Sequence, residues 1–234
     1  MEFLLQFLDS PLFGITLTIG VFVFFRMLFK DAKNPLLNPL IFAIVAVIAF
    51  LKLTGIPYES YAKGGDMLTF LLGPATVAFA VPLYKQLDKL KANAIPILIG
   101  ITSGVIVAIV STVGLGLLFK LSDEMIISLS PKATTTAIAV DLSQILGGDP
   151  ALTVAFVTVA GTFGFMFGEP ILKLLKIKNK TAKGVALGTA SHAFGTNRAL
   201  LMGEEEGAMS SLSIGIAGVI TAFLLPPFLK LFGL

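Results

Sequence analysis

The sequence predicts an all-α, polytopic membrane fold built from two four-segment inverted repeats with broken or re-entrant helices. Three observations lead there. Hydrophobic residues make up 56% of the 234 residues and charged residues only 13%, whereas a soluble domain carries about 25% charged residues. Uncharged apolar stretches recur along the chain, each near the roughly 20 residues that cross a hydrocarbon core as a helix. Leu72 to Phe79 also matches Leu187 to Phe194 at five of eight positions, and the same offset of 115 residues lays Ile99-Gly100-Ile101 on Ile214-Gly215-Ile216. Self-similarity at a fixed offset is the mark of duplicated architecture. The expectation is therefore a single membrane domain, 1–234, with repeat 1 at about 11–120 and repeat 2 at about 125–234.

Taken in order, residues 11–29 are apolar except for Arg26 and form segment one. Residues 38–51 are uncharged and, with Lys52 snorkelling, form a short segment two. Residues 67–84 carry Gly73-Pro74 and Pro82, which interrupt helical hydrogen bonding, so segment three reads as broken. Residues 94–119 form segment four, whose Gly100, Gly104, Gly114 and Gly116 permit close helix approach in lipid. Segment five, 125–146, holds Pro131, Lys132, three consecutive threonines and Asp141; it is too polar to face lipid and should be buried or re-entrant. Segment six runs from 152 through Gly168-Glu169-Pro170 to 175 with a bend, segment seven is 181–202, and segment eight is 207–229. Glu204, Glu205 and Glu206 read as a solvated loop between the last two segments.

Lysines set the orientation. Lys30 and Lys33 form one basic connection, and Lys173, Lys176, Lys178, Lys180 and Lys183 a stronger one; both should be cytoplasmic, which puts the amino terminus outside. Parity then requires that at least one of segments two to six does not cross. Segments three, five and seven are the candidates. The start of the chain has Glu2 and Asp9 and no basic run, so it does not read as a cleaved signal peptide. No nucleic-acid-binding patch, phosphate-binding glycine loop or serine-hydrolase elbow is visible, and one histidine without cysteine makes no metal pair, so no cofactor is expected. Ser191 and His192 are neighbours, and adjacent helical residues diverge by about 100°, which makes them a poor nucleophile and base. The chain is not expected to be an enzyme.

The polar residues of an oily chain are its candidate site. In segment seven, Gly188 and Gly195 let backbone approach a ligand, while Thr189, Ser191, Thr196 and Asn197 offer hydroxyl or amide hydrogen bonds to an anion. Arg198 supplies a planar fork suited to a carboxylate; a snorkelling role at a helix end is the alternative. His192 suits a proton carrier or a structural residue bonded to a carbonyl. In segment five, Pro131 suits a first helical turn beside Thr134, Thr135 and Thr136, a ready anion site if the threonines do more than cap. Asp141 is a second proton-coupling candidate, or a partner for Arg198 or Lys132, or an interface residue. Gly73 and Thr76 are the segment-three counterparts and would contribute backbone and shape.

The runs Pro131-Lys132-Ala133-Thr134-Thr135-Thr136-Ala137-Ile138-Ala139, Leu187 to Ala199, Glu206-Gly207-Ala208 and Ser210-Ser211-Leu212 resemble the LrgB/CidB family of antiholin-like membrane proteins over essentially the full chain. Ala137 and Asn197 depart from that family's pattern, which has proline and a small residue there. The resemblance includes the plastid glycolate/glycerate translocator domain. It implies a multi-pass protein of the bacterial cytoplasmic (inner) membrane that moves small monocarboxylates of the glycolate, glycerate, pyruvate or lactate type; the repeats predict alternating access, His192 and Asp141 are the proton-coupling candidates, and the apolar glycine-rich spans predict a homodimer. The alternative it implies is a holin-like or antiholin-like module that modulates membrane permeability and lysis with an LrgA/CidA-like partner.

Overall fold

A computed structural model describes residues 7–30, 37, 39–71, 74, 80–85 and 87–234, and these residues form helices and connections with no strand among them. By packing they fall into two compact units, 1–78 and 79–234.

The first unit holds α1 (Pro11–Leu28), α2 (Pro39–Thr54) and α3 (Tyr58–Phe70). Helix α1 begins with Pro11 in its first turn, where the missing N–H costs nothing. Against α2 it packs Phe25 and Phe29 on Phe42, one ring tilted and the other edge-on, with centroids 5.6 and 4.8 Å apart. Against α3 it packs backbone to backbone: a Cβ on Gly64 would come within 2.7 Å of Gly14 Cα, so both positions need glycine. Thr18 and Tyr61 share a hydrogen bond of 2.9 Å, and Lys63 pairs with Asp9 at 2.5 Å.

Helix α3 corrects the sequence reading, which has no helix between Lys52 and residue 67. Glu59, Lys63 and Asp66 hide it from a hydropathy search, and the Gly14–Gly64 seat makes it a helix regardless. The expected segment three is divided accordingly: 67–70 end α3 and 80–84 belong to the next helix. Its candidates Gly73 and Thr76 lie outside the described residues.

The second unit contains α4 (Ala80–Lys85), α5 (Leu87–Ala92), α6 (Ala94–Leu118), α7 (Asp123–Leu129), α8 (Thr136–Leu146), α9 (Pro150–Leu174), α10 (Lys180–Met202) and α11 (Glu204–Leu231). Helix α6 buries Ile97, Ile101, Val105, Ile109 and Val113, a four-residue spacing that keeps one stripe on the core, where Ile126, Met209, Ala217 and Leu225 meet it. Helices α10 and α11 form the closest pair. Gly184 lies against the Glu206 carbonyl and Gly188 against the Ser210 carbonyl, a small-residue seam one turn apart.

Among the described residues, four helices, α1, α6, α9 and α11, are long and apolar enough to cross a membrane. Helices α7 and α8 have only 7 and 11 residues, short of the roughly 20 that a span requires. Asp149 N–H, just beyond α8, donates to Ser128 Oγ on α7 at 2.8 Å, so this polar segment doubles back on itself.

Glu204, Glu205 and Glu206 also need correction. They are the first turn of α11, with Glu206 only 4% exposed. Three carboxylates suit the positive end of the helix dipole, and Glu205 accepts from the Thr181 hydroxyl at 3.0 Å.

Candidate functional site

Two interrupted elements meet inside the second unit. The first is the α7–α8 turn. Ser122 caps α7 by accepting from Met125 N–H, and Thr135 caps α8 by accepting from Ile138 N–H at 3.4 Å. Thr134 is buried and its hydroxyl donates to the Pro131 carbonyl at 2.9 Å, while Thr136 faces outward at the first helical position. Two of the three threonines are thus committed to the turn and the cap. Lys132 projects from this turn, and its Nζ donates to Thr112 Oγ1 on α6, whose own hydroxyl donates to the Ala108 carbonyl at 2.6 Å.

The second element is α10, whose helix breaks at Ser191 (φ −141°, ψ 20°) and His192 (φ 41°, ψ −132°). A positive φ at a histidine is sparsely populated and persists only when its surroundings hold it. Those surroundings come from α9. His192 is 2% exposed, its Nε2–H donates to the Val157 carbonyl at 3.1 Å, and its ring lies edge-on to Phe194. Gly161, Gly164 and Gly168 form one face of α9 opposite His192, Ser191 and Leu187; a Cβ at Gly161 would lie 2.7 Å from the His192 ring. The bend also presses Gly195 onto the Leu187 carbonyl, where a Cβ has no room. Thr196 and Ser210 Oγ share a bond of 2.7 Å that seats the far half of α10 on α11.

Between these elements open two cavities. One, of about 470 Å³, is lined by Lys132, Thr189, Ser103, Gly104 and Ala190 among others. The other, of about 610 Å³, contains Ser191, Gly164 and Phe163 and shares Lys132, Ala186 and Ala190 with the first. Both lie in the size range of small-molecule sites. Thr189 is 5% exposed, and its Oγ1 is a buried side-chain atom with no hydrogen-bond partner.

The expected residues therefore sort into three groups. Thr189 and Ser191 face the cavities beside Lys132. Gly188, His192, Gly195 and Thr196 build the bend and its seat. Thr136, Asn197 and Asp141 are exposed and line neither cavity. Arg198 lines neither cavity as well: its guanidinium donates to Glu169 Oε2 at 2.5 Å, lies 5.9 Å from the Phe165 ring, and leaves Nε unpartnered. Glu169 is held in addition by Lys173 at 2.7 Å. Glu169 sits inside α9, one residue before Pro170 and five before its last residue, Leu174. Missed as site residues were Lys132, Ser103 and the α9 glycines. The stripe Gly161, Gly164, Gly168, spaced by three and four residues, was the signal for the last.

Residues 18–231 match the family described as LrgB-like. The chain is 40% identical over 225 residues to the antiholin-like protein LrgB of Bacillus subtilis (strain 168), covering 96% of this chain and 97% of the relative. It is 40% identical to the antiholin-like protein LrgB of Bacillus mycoides (strain KBAB4) and 39% identical to that of Bacillus cereus (strain B4264), in each case over 96% of this chain and 98% of the relative. No solved structure matches the chain.

Proposed function

The chain belongs to the LrgB-like family and is a multi-pass membrane protein, and on that premise we propose that it acts as an antiholin-like module governing the permeability of the bacterial cytoplasmic membrane. The observation that carries this reading is the near full-length similarity to relatives named antiholin-like protein LrgB. An LrgA/CidA-like membrane protein is the partner this reading calls for, and a homodimer is the assembly. Co-expression with such a partner should change the leak of small solutes from cells; a deletion that leaves both leak and lysis as they were would refute it.

A narrower reading follows from one feature of the second unit. The doubled-back α7–α8 segment and the broken α10 converge on cavities holding a lysine and a free hydroxyl. Interrupted helices meeting in the interior are the usual substrate sites of secondary transporters. We propose that the permeability is selective, for small monocarboxylates, by alternating access between two inverted repeats at about 11–120 and 125–234, with His192 and Asp141 as candidates for proton coupling. Uptake of labelled glycolate, glycerate, lactate or pyruvate into proteoliposomes separates the two readings. Selective transport saturates and shows competition between acids, whereas a passive lesion passes unrelated solutes as well.

A further inference from the structure

We infer that Lys132, with Thr189 and not Arg198, holds the negatively charged group of a short-chain monocarboxylate in the cavity bounded by α6, the α7–α8 turn and α10. This rests on the carboxylate reading above and assigns its anion site.

An ionised lysine inside a membrane bundle is costly without a partner. Among the described residues, the acids that pair with a cation pair elsewhere: Asp9 with Lys63, Glu204 with Lys85, and Glu169 with Arg198 and Lys173. None pairs with Lys132, whose contact is the neutral Thr112 hydroxyl. An ammonium has three N–H donors, so two remain for a guest. Thr189 lines the same cavity; its Oγ1 is buried and unpartnered, and a buried hydroxyl without a hydrogen bond is the exception in folded proteins. A charge without a counter-charge and a residue whose buried hydroxyl has no acceptor line one cavity, and a carboxylate would supply what both lack.

The rest of the wall decides the class of anion. Gly100, Gly104, Ala108, Ala186 and Ala190 provide small apolar surface and no second cation. A single lysine balances one negative charge, so a dianion would bring an uncompensated charge into a dry wall. A guest with one carboxylate and a body of a few carbons fits.

The test uses the full chain in proteoliposomes, with uptake of labelled pyruvate, lactate and glycolate by the wild type, Lys132→Gln, Lys132→Arg, Thr189→Val and Thr189→Ser. Saturable wild-type uptake should fall by about tenfold or more in Lys132→Gln, the size of effect expected for a lost charged hydrogen bond. Thr189→Val should raise the half-saturation concentration several-fold and Thr189→Ser should restore it, while sulfate competes poorly with every acid. Wild-type kinetics in Lys132→Gln would overturn the site while leaving carboxylate transport standing. Should Lys132→Gln fail to reconstitute, the Thr189→Val and Thr189→Ser pair decides, and identical half-saturation in both overturns the site. Absence of saturable uptake by the wild type would instead remove the carboxylate reading itself, and this site with it.

Discussion

Lys132 and Arg198 are two cations in one apolar bundle with opposite electrostatic circumstances. Arg198, 30% exposed, has Glu169 at 2.5 Å, and Lys173 holds the same carboxylate from one turn away. This is a compensated ion network that ties α9 to α10. Lys132 sits on a turn between two short helices, reaches a hydroxyl, and opens onto two cavities. A charge that is already neutralised holds the scaffold together, and a charge that is not can be neutralised by a guest. The difference is invisible in residue type, because arginine is the better carboxylate fork in general. Here its fork is taken.

Removing each charge should break the comparison in opposite directions. Lys132→Gln has the largest expected effect on function: at least about a tenfold loss of uptake, with thermal stability unchanged or raised because an unpaired charge leaves a low-dielectric wall. Arg198→Gln should act on stability. Breaking a buried pair costs about 3–5 kcal/mol, and partial exposure here reduces that to about 2 kcal/mol, read by thermal unfolding in detergent. Adding Glu169→Gln should recover part of the loss, and half-saturation for uptake should stay at the wild-type value in both variants. An Arg198→Gln protein of full stability with weakened uptake would reverse the roles of the two cations.

The hydroxyls sharpen the same contrast at smaller amplitude. Thr196→Val removes the 2.7 Å bond to Ser210 and should cost about 1 kcal/mol of stability. Thr189→Val removes a hydroxyl that has no partner and should cost nothing in stability, its effect appearing only in uptake.

What the sequence makes legible follows from what is local. The long apolar spans were readable within about three residues at each end, as 94–119 against Ala94–Leu118 and 207–229 against Glu204–Leu231 illustrate. The segment around Pro131 was readable as too polar to face lipid, but not its division into two short helices, Asp123–Leu129 and Thr136–Leu146. Helix α3 was not readable, because its stability comes from a glycine contact with α1 50 residues earlier in sequence. The acid run before α11 looked like loop because three carboxylates in a row suggest water; a helix N-terminus accommodates them equally well. At the site, the cluster from 187 to 198 was found as a block, yet its members do different work. The break at Ser191 and His192 turns Thr189 toward one cavity and Ser191 toward the other, and no periodicity announces a kink held by a carbonyl on another helix. The Glu169–Arg198 pair spans 29 residues, so sequence could not show that the arginine was occupied or that Lys132 was left uncompensated.

The most direct measurement is a structure of the protein with a bromine-labelled short-chain monocarboxylate, in which the anomalous signal reports the guest's position independently of side-chain interpretation. The account predicts the carboxylate within hydrogen-bond distance of Lys132 Nζ and Thr189 Oγ1. A guest seated on the Arg198 guanidinium, with Glu169 displaced, would contradict it.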